Sequence, residues 1–81
     1  MKVYSLIRVA RYVEFQMEVK CRTFKNLDNA KKAMQEDLEE TKRDWGDKFE
    51  IEEDDTCCSI YQNYFDGENR VDLKIYENEV E

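Results

Sequence analysis

The sequence contains no histidine and no proline, and glycine occurs only twice in its 81 residues. Without histidine, a nucleophilic cysteine lacks its usual base, and a zinc site built from cysteine and histidine is close to excluded. The two glycines stand 21 positions apart, so no phosphate-binding glycine loop is present. No apolar run approaches the roughly 20 residues that span a bilayer. We therefore expect a protein that is not an enzyme, uses no cofactor and has no membrane segment.

The residues that are present indicate one soluble domain over residues 1–81. Five tyrosines, four phenylalanines and one tryptophan are too many for a disordered acidic tail, because burying aromatic side chains offsets chain entropy. The three cysteines include the adjacent Cys57 and Cys58, and they are typical of reduced thiols in an intracellular protein. Arg8 interrupts the apolar N-terminal segment, which argues against a signal peptide. We expect a cytoplasmic protein.

The charge is distributed unevenly along the chain. The net charge is −7, but residues 1–25 carry six bases against two acids, whereas residues 26–81 carry 18 acids against seven bases. Nucleic acid and anionic membranes would repel such a surface. The electrostatically natural partner is a protein with a basic surface.

Residues 26–45 are predicted to form the one helix, because their apolar residues follow helical spacing. Asn26 suits the N-cap, because its side chain can accept amide hydrogens of the first turn. Gly46 suits the position at which the helix stops. The apolar positions are Leu27, Ala30, Ala33, Met34, Leu38 and Trp45.

Two strands are predicted before the helix, at residues 2–9 and 12–22. The first is apolar on both sides, as in a central strand, and the second alternates with period two. A helical stripe from Val3 to Phe24 fits the same region, but alternation and residue type favour strands. A loop at residues 10–12 would pair Val9 with Val13, Ile7 with Phe15 and Val3 with Val19.

Three strands are predicted after the helix, at about residues 48–53, 57–65 and 70–78. Asp66-Gly67 is a type I′ turn signal, and its register pairs Ile60 with Leu73 and Cys58 with Ile75. Residues 78–81 are expected to fray. The order is β-β-α-β-β-β, an α+β fold with one helix packed on one face of a mainly antiparallel four- to five-stranded sheet.

The helix can cover only one face of this sheet. We expect the apolar residues of the helix to pack on Val13, Phe15, Met17, Ile60, Leu73 and Ile75. The uncovered face would then carry large side chains next to arginines, the composition of a protein interface or a homodimer seam. These candidate interface residues are Tyr4, Leu6, Tyr12, Tyr61 and Tyr76.

A second candidate interface is acidic. Its carboxylates could present phosphate-like charge to a basic, nucleic-acid-binding groove of another protein, although they also serve solubility. The candidates are Glu36, Glu40, Asp44, Glu50, Glu52, Glu53, Asp54 and Asp55. A hard cation could bind Glu50, Glu52 and Asp54, but an acidic edge that repels other sheet edges explains them better, so no metal site is predicted.

In size, acidity and its combination of strands with a single helix, the chain is similar to small accessory proteins of phages and mobile elements, including anti-CRISPR and anti-restriction inhibitors. The similarity is one of composition and assigns no site residues. It implies an inhibitor or adaptor that docks on a basic surface of its target. The alternative is a self-associating or small-ligand-binding domain that uses the tyrosine-rich face.

Overall fold

A computed structural model of the chain describes residues 1–12, 15–46, 48–64 and 67–80. The elements are β1 (Lys2–Tyr12), β2 (Phe15–Phe24), α1 (Leu27–Trp45), β3 (Glu50–Glu53), β4 (Cys57–Tyr64) and β5 (Gly67–Glu79). The five strands form one antiparallel sheet in the order β2-β1-β5-β4-β3, and α1 packs on one of its faces. The predicted α+β fold and its element order are confirmed.

The two ends of α1 follow from the residues that were predicted to cap it. The Asn26 Oδ1 atom accepts hydrogen bonds from the backbone N–H groups of Asp28, at 2.7 Å, and Asn29, at 3.4 Å. At the other end, Gly46 has a φ of 78° and its N–H donates to the carbonyl of Lys42 at 3.1 Å. A positive φ favours glycine, so the chain leaves the helix where its first glycine stands.

Residues 78–80 pair with the first residues of the chain, which corrects the expectation that they fray; residue 81 lies outside the described residues. β1 and β5 pair over most of their length, from Lys2 opposite Glu79 to Arg11 opposite Arg70. Beyond the last pair, the backbone N–H of Val80 donates to the carbonyl of Met1 at 2.7 Å. Long-range pairing between the first and last strands therefore holds residues that look mobile from local sequence.

The β4–β5 hairpin has the predicted faces but a different register. Ile60 lies opposite Val71 and Cys58 opposite Leu73, two positions away from the predicted partners. A shift of two residues leaves every side chain on its own face, so the face assignment is correct. Of the predicted Asp66-Gly67 turn, Asp66 lies outside the described residues and Gly67 is the first residue of β5.

The register between β1 and β2 was predicted wrongly. β1 continues through Tyr12, and Val9 lies opposite Val19 while Ile7 lies opposite Cys21. Ala10 lies opposite Glu18 and Tyr12 opposite Phe15, so β2 has one more residue than β1 between these two pairs, which marks a bulge in β2. Residues 13 and 14, to which the predicted Val9–Val13 pair belongs, lie outside the described residues.

The helix covers the opposite side of β1 and β2 from the one predicted. Opposite β5, Leu6 pairs with Ile75 and Ala10 with Val71, so the even-numbered residues of β1 join the core. The expected core residue Met17 instead lies on the uncovered face and is 61% exposed. Side chains alternate between the two faces of a strand. A shift of one residue in the β1–β5 register therefore moves the apolar set of β1 and β2 to the other face of the sheet.

The core lies between α1 and the middle strands of the sheet. Its buried apolar residues come from β1, α1, β4 and β5, and Leu38 and Ile60 are among those with almost no exposed surface. The buried set is Leu6, Ala10, Ala30, Ala33, Met34, Leu38, Cys58, Ile60, Val71, Leu73 and Ile75. Among the described residues, no helix is both long enough and apolar enough to cross a membrane.

Candidate protein interface

The sheet face that α1 leaves uncovered, called here the open face, carries a band of apolar side chains on β1 and β2. The register places Val9 beside Val19 and Ile7 beside Cys21, and alternation adds neighbours on both strands. We call this set the apolar stripe: Val3, Ile7, Val9, Met17, Val19 and Cys21. Met17 and Val19 are 61% and 57% exposed, so the part of the stripe on the edge strand is open to solvent.

The other half of the open face is polar and internally paired. Asp72 of β5 accepts a hydrogen bond from the Ser59 hydroxyl at 2.6 Å and two from the Nε atom of Arg70, at 3.0 and 3.2 Å. Arg11 of β1 approaches the same carboxylate at 3.8 Å. Hydrogen bonding to Asp72 is the main cause that raises the pKa of Arg70. The polar side chains of this half are thus bonded to one another, and the apolar stripe forms the other half of the face.

The five residues predicted for the tyrosine-rich face do not share a face, and this corrects the prediction. Leu6 is 3% exposed and belongs to the core, and Tyr4 and Tyr12 pack against that core on the helix side. Only Tyr61 and Tyr76 lie on the open face. The reason is again the β1–β5 pairing, which turns the even-numbered residues of β1 towards α1.

The two tyrosines of the open face contact cations of neighbouring positions. The Arg70 guanidinium lies 5.3 Å from the centre of the Tyr61 ring, opposite it in the β4–β5 pair. The Lys74 ammonium lies 4.9 Å from the ring of Tyr76. Both geometries are within the range of cation–π attraction, so these rings are held by the sheet itself.

The eight candidate acidic residues lie in three separate places. On the flank of α1 that faces β2, Glu40 and Asp44 line a groove with Lys20, and Glu36 lies further out on the helix surface. Glu50 and Glu52 lie on the open face, opposite Tyr61 and Ser59. The third group is the acidic turn, defined here as Glu53, Asp54 and Asp55. The structure thus does not combine the eight carboxylates into one surface.

The acidic turn packs beside the first half of α1. Asp55 forms a 2.9 Å ion pair with the Lys31 ammonium, while Asp54 remains exposed and accepts a hydrogen bond from the backbone N–H of Asp55. Behind the turn lies the Cys58 thiol, which is 4% exposed. Burial, and next the charge of Glu53, raises the pKa of Cys58 to about 11. This thiol is therefore protonated at neutral pH and poorly nucleophilic.

A charged groove separates α1 from β2 on the helix side. On its floor, Arg8 of β1 donates from Nε to the Asp37 carboxylate of α1 at 3.1 Å, and these side chains are 18% and 28% exposed. The Thr41 hydroxyl donates to the backbone carbonyl of Asp37 at 3.0 Å. Burial alone would lower the pKa of Arg8, but hydrogen bonding to Tyr12 and the charge of Asp37 raise it overall. The pair ties the helix to a central strand.

Within residues 1–12, 15–46, 48–64 and 67–80, no group of three or more cysteine, aspartate or glutamate side chains is placed to hold a metal ion. No protein-family model, curated protein or solved structure matches the chain.

The apolar stripe is the feature that sequence reasoning assigned to the wrong place. The alternation of β2 correctly identified Met17, Val19 and Cys21 as one set, but an alternating strand has an apolar face whether or not anything covers it. Only the strand order shows that β2 is an edge and that the helix lies on its polar side.

Proposed function

We propose that the protein is a non-catalytic protein-binding module that binds its partner through the apolar stripe of the open face. The observation that carries this proposal is the exposure of Met17 and Val19 on a continuous apolar surface that extends onto Ile7 and Val9. Soluble chains keep such contiguous apolar surface small unless it meets another surface. A fully paired polar network borders the stripe, as a polar rim borders the apolar centre of an interface.

A second candidate function is docking on a basic protein surface, as an inhibitor or adaptor. It is supported by the acidic turn, where Glu53, Asp54 and Asp55 are all exposed and stand together at one end of the sheet. Carboxylates in such a turn would attract a basic partner, and the binding would weaken as the salt concentration rises. We further propose a reducing, cytoplasmic setting, supported by three free thiols.

The experiment that separates these candidates compares three forms of the protein as affinity baits in a native extract. The first is the wild type. The second carries Met17→Thr and Val19→Thr, which remove apolar surface while keeping β-compatible side chains and the net charge. The third carries Glu53→Gln, Asp54→Asn and Asp55→Asn, which remove charge and leave the stripe intact. Circular dichroism confirms that all three forms are folded before the comparison.

We expect the stripe variant to lose a captured protein that the acidic-turn variant retains, and we expect capture to persist at high salt. The reverse pattern, with capture lost in the acidic-turn variant and abolished by salt, would favour the second candidate. If the stripe variant captures the same proteins as the wild type, binding through the stripe is rejected.

A further inference from the structure

The edge strand β2 has a charge pattern that is complementary to itself. On the helix side of the sheet it carries Glu18 and Lys20, which form an ion pair at 3.3 Å with side chains 50% and 66% exposed. On the open face it carries Met17, Val19 and Cys21. β2 ends the five-stranded sheet, so its outer row of backbone donors and acceptors faces away from β1.

We propose that two copies of this chain associate by antiparallel pairing of their β2 strands, with a two-fold axis at Val19, to form a continuous ten-stranded sheet. The inference goes beyond the proposed function, because it uses the edge of the sheet and not the open face. In this register Glu18 lies opposite Lys20 of the second copy, and symmetry repeats the pair. Together with the ion pair within each strand, the four side chains form a ring of alternating charge.

Among the registers that keep the apolar side chains on one face, the axis at Val19 is the one that gives two opposite-charge contacts and no like-charge contact within β2. Moving the axis to Glu18 or Lys20 places that residue opposite its own copy, so like charges meet. Moving it to Cys21 places Lys20 opposite Arg22 in both halves. Like charges directly opposite each other destabilise an antiparallel pair, whereas opposite charges stabilise it. With the axis at Val19, Met17 also meets Cys21 of the second copy, so the two apolar stripes become one.

The opposite edge of the sheet is protected from such pairing. β3 is four residues long and contains Glu50, Glu52 and Glu53. Self-pairing about Ile51 would place Glu50 opposite Glu52 of the second copy, and an axis at Glu50 or Glu52 places that residue opposite itself. Short, like-charged edges are how natural sheets prevent edge association. β2 has ten residues and neither proline nor glycine, so its protections are limited to its basic residues and to the bulge before Glu18, and from Glu18 onwards it pairs regularly with β1.

The position of α1 leaves room for the second copy. The helix lies over β1 and contacts β2 and β5 equally on either side, with Glu40 and Asp44 on the flank that faces β2. In the paired sheet the two β1 strands would be three strand spacings apart, about 14 Å. A helix with its side chains is about 10–12 Å across, so the two helices lie side by side without overlap. Their acidic flanks then face Lys20 from both sides.

The test exchanges charges at the pair. Glu18→Lys alone and Lys20→Glu alone each replace both opposite-charge contacts of the dimer with like-charge contacts. We expect the wild type to dimerise between micromolar and millimolar concentrations by sedimentation equilibrium. The dissociation constant of each single-variant dimer should be at least about tenfold higher than that of the wild type. The matched controls are Glu39→Lys and Lys42→Glu, which break an exposed ion pair of similar length on α1, at 3.1 Å, and should leave dimerisation unchanged.

Mixing the two single variants decides the register. The mixture sets two lysines of one strand against two glutamates of the other, so it should form a heterodimer that neither variant forms as a homodimer. Weakening of both single variants together with recovery in the mixture is expected only if residue 18 faces residue 20, because a register in which either residue faces its own copy would leave at least one single variant as dimeric as the wild type. Native mass spectrometry with one isotopically labelled variant measures this. Heterodimer formation also shows that each variant is folded.

Three outcomes would overturn the proposal. A wild type that stays monomeric at millimolar concentration excludes the dimer. If neither charge substitution changes the dissociation constant, the dimer forms through another surface, for example by stacking of two open faces. Failure of the mixture to dimerise, while the wild type does, excludes this register. The stripe variant Met17→Thr with Val19→Thr keeps the backbone edge and the Glu18–Lys20 pair, so failure of either proposal can be recognised separately.

Discussion

The ion pair between Arg8 and Asp37 offers the sharpest test of how the helix is held on the sheet. Exposed ion pairs contribute about 0–1 kcal/mol, whereas breaking a fully buried pair costs about 3–5 kcal/mol. With side chains 18% and 28% exposed and a 3.1 Å contact, this pair lies between these limits. We take about 2 kcal/mol for the loss of Asp37, since it leaves a half-buried guanidinium without its carboxylate.

The substitution Asp37→Ala should therefore lower the free energy of unfolding by about 1.5 kcal/mol. The better helix propensity of alanine offsets roughly 0.6 kcal/mol of the loss. Arg8→Met keeps most of the aliphatic stem and should cost about 1 kcal/mol. In the double variant neither charge is left unpaired, so we expect a coupling energy of about 1 kcal/mol between the two sites.

Urea unfolding followed by the fluorescence of Trp45, the only tryptophan, measures all four forms. Trp45 packs against the core at the end of α1, so its emission reports helix docking. The same cycle at the exposed Lys2–Glu77 pair, with side chains 57% and 56% exposed, is the control and should give no measurable coupling. A coupling at Arg8–Asp37 no larger than that of the control would refute the argument that this pair anchors the helix.

Three further predictions use the same unfolding assay. The pKa of Cys58 is about 11 in the fold against 9.0 for a free thiol, so the unfolded state ionises first. Stability should therefore fall as the pH rises from 9 to 11, by up to about 3 kcal/mol, and Cys58→Ala should remove this part of the fall. An unchanged pH profile in that variant would contradict the burial of the thiol. Asn26→Ala removes the acceptor of two first-turn amides and should cost about 1 kcal/mol, whereas Asn26→Ser should be near neutral. Gly46→Ala should cost about 1 kcal/mol. The cost comes from the backbone φ of 78° alone, since the added Cβ would meet no other atom within 4 Å. If the free energy of unfolding does not fall, the chain can leave the helix with a different backbone conformation.

Local signals predicted the elements of this fold well. The caps at Asn26 and Gly46 limit α1, and the period-two alternation of β2 correctly favoured strands over the competing helical stripe. These features depend on hydrogen bonds and side-chain directions within a few residues, so the sequence determines them directly. The face assignment of β4 and β5 survived an error of two positions in register, because the side-chain period is two.

The candidate sites depended on information that no local pattern contains. Leu6 and Met17 are both large apolar residues on neighbouring strands, yet one is 3% exposed and the other 61%. The β1–β5 pairing decides between them, and it joins residues 59 to 77 positions apart in the chain. Such pairings are selected by total burial across the sheet, which neighbouring residues cannot reveal.

The sequence by itself determined one capped helix, five strands, the strongly acidic balance of the chain and the apolar sets that belong together. Each of these follows from local propensity, period or composition. Only the tertiary structure decided which set the helix covers and which strand ends the sheet. Those two facts place Val19 and its neighbours in solvent, because one helix can bury one face of a sheet and the other face must remain open.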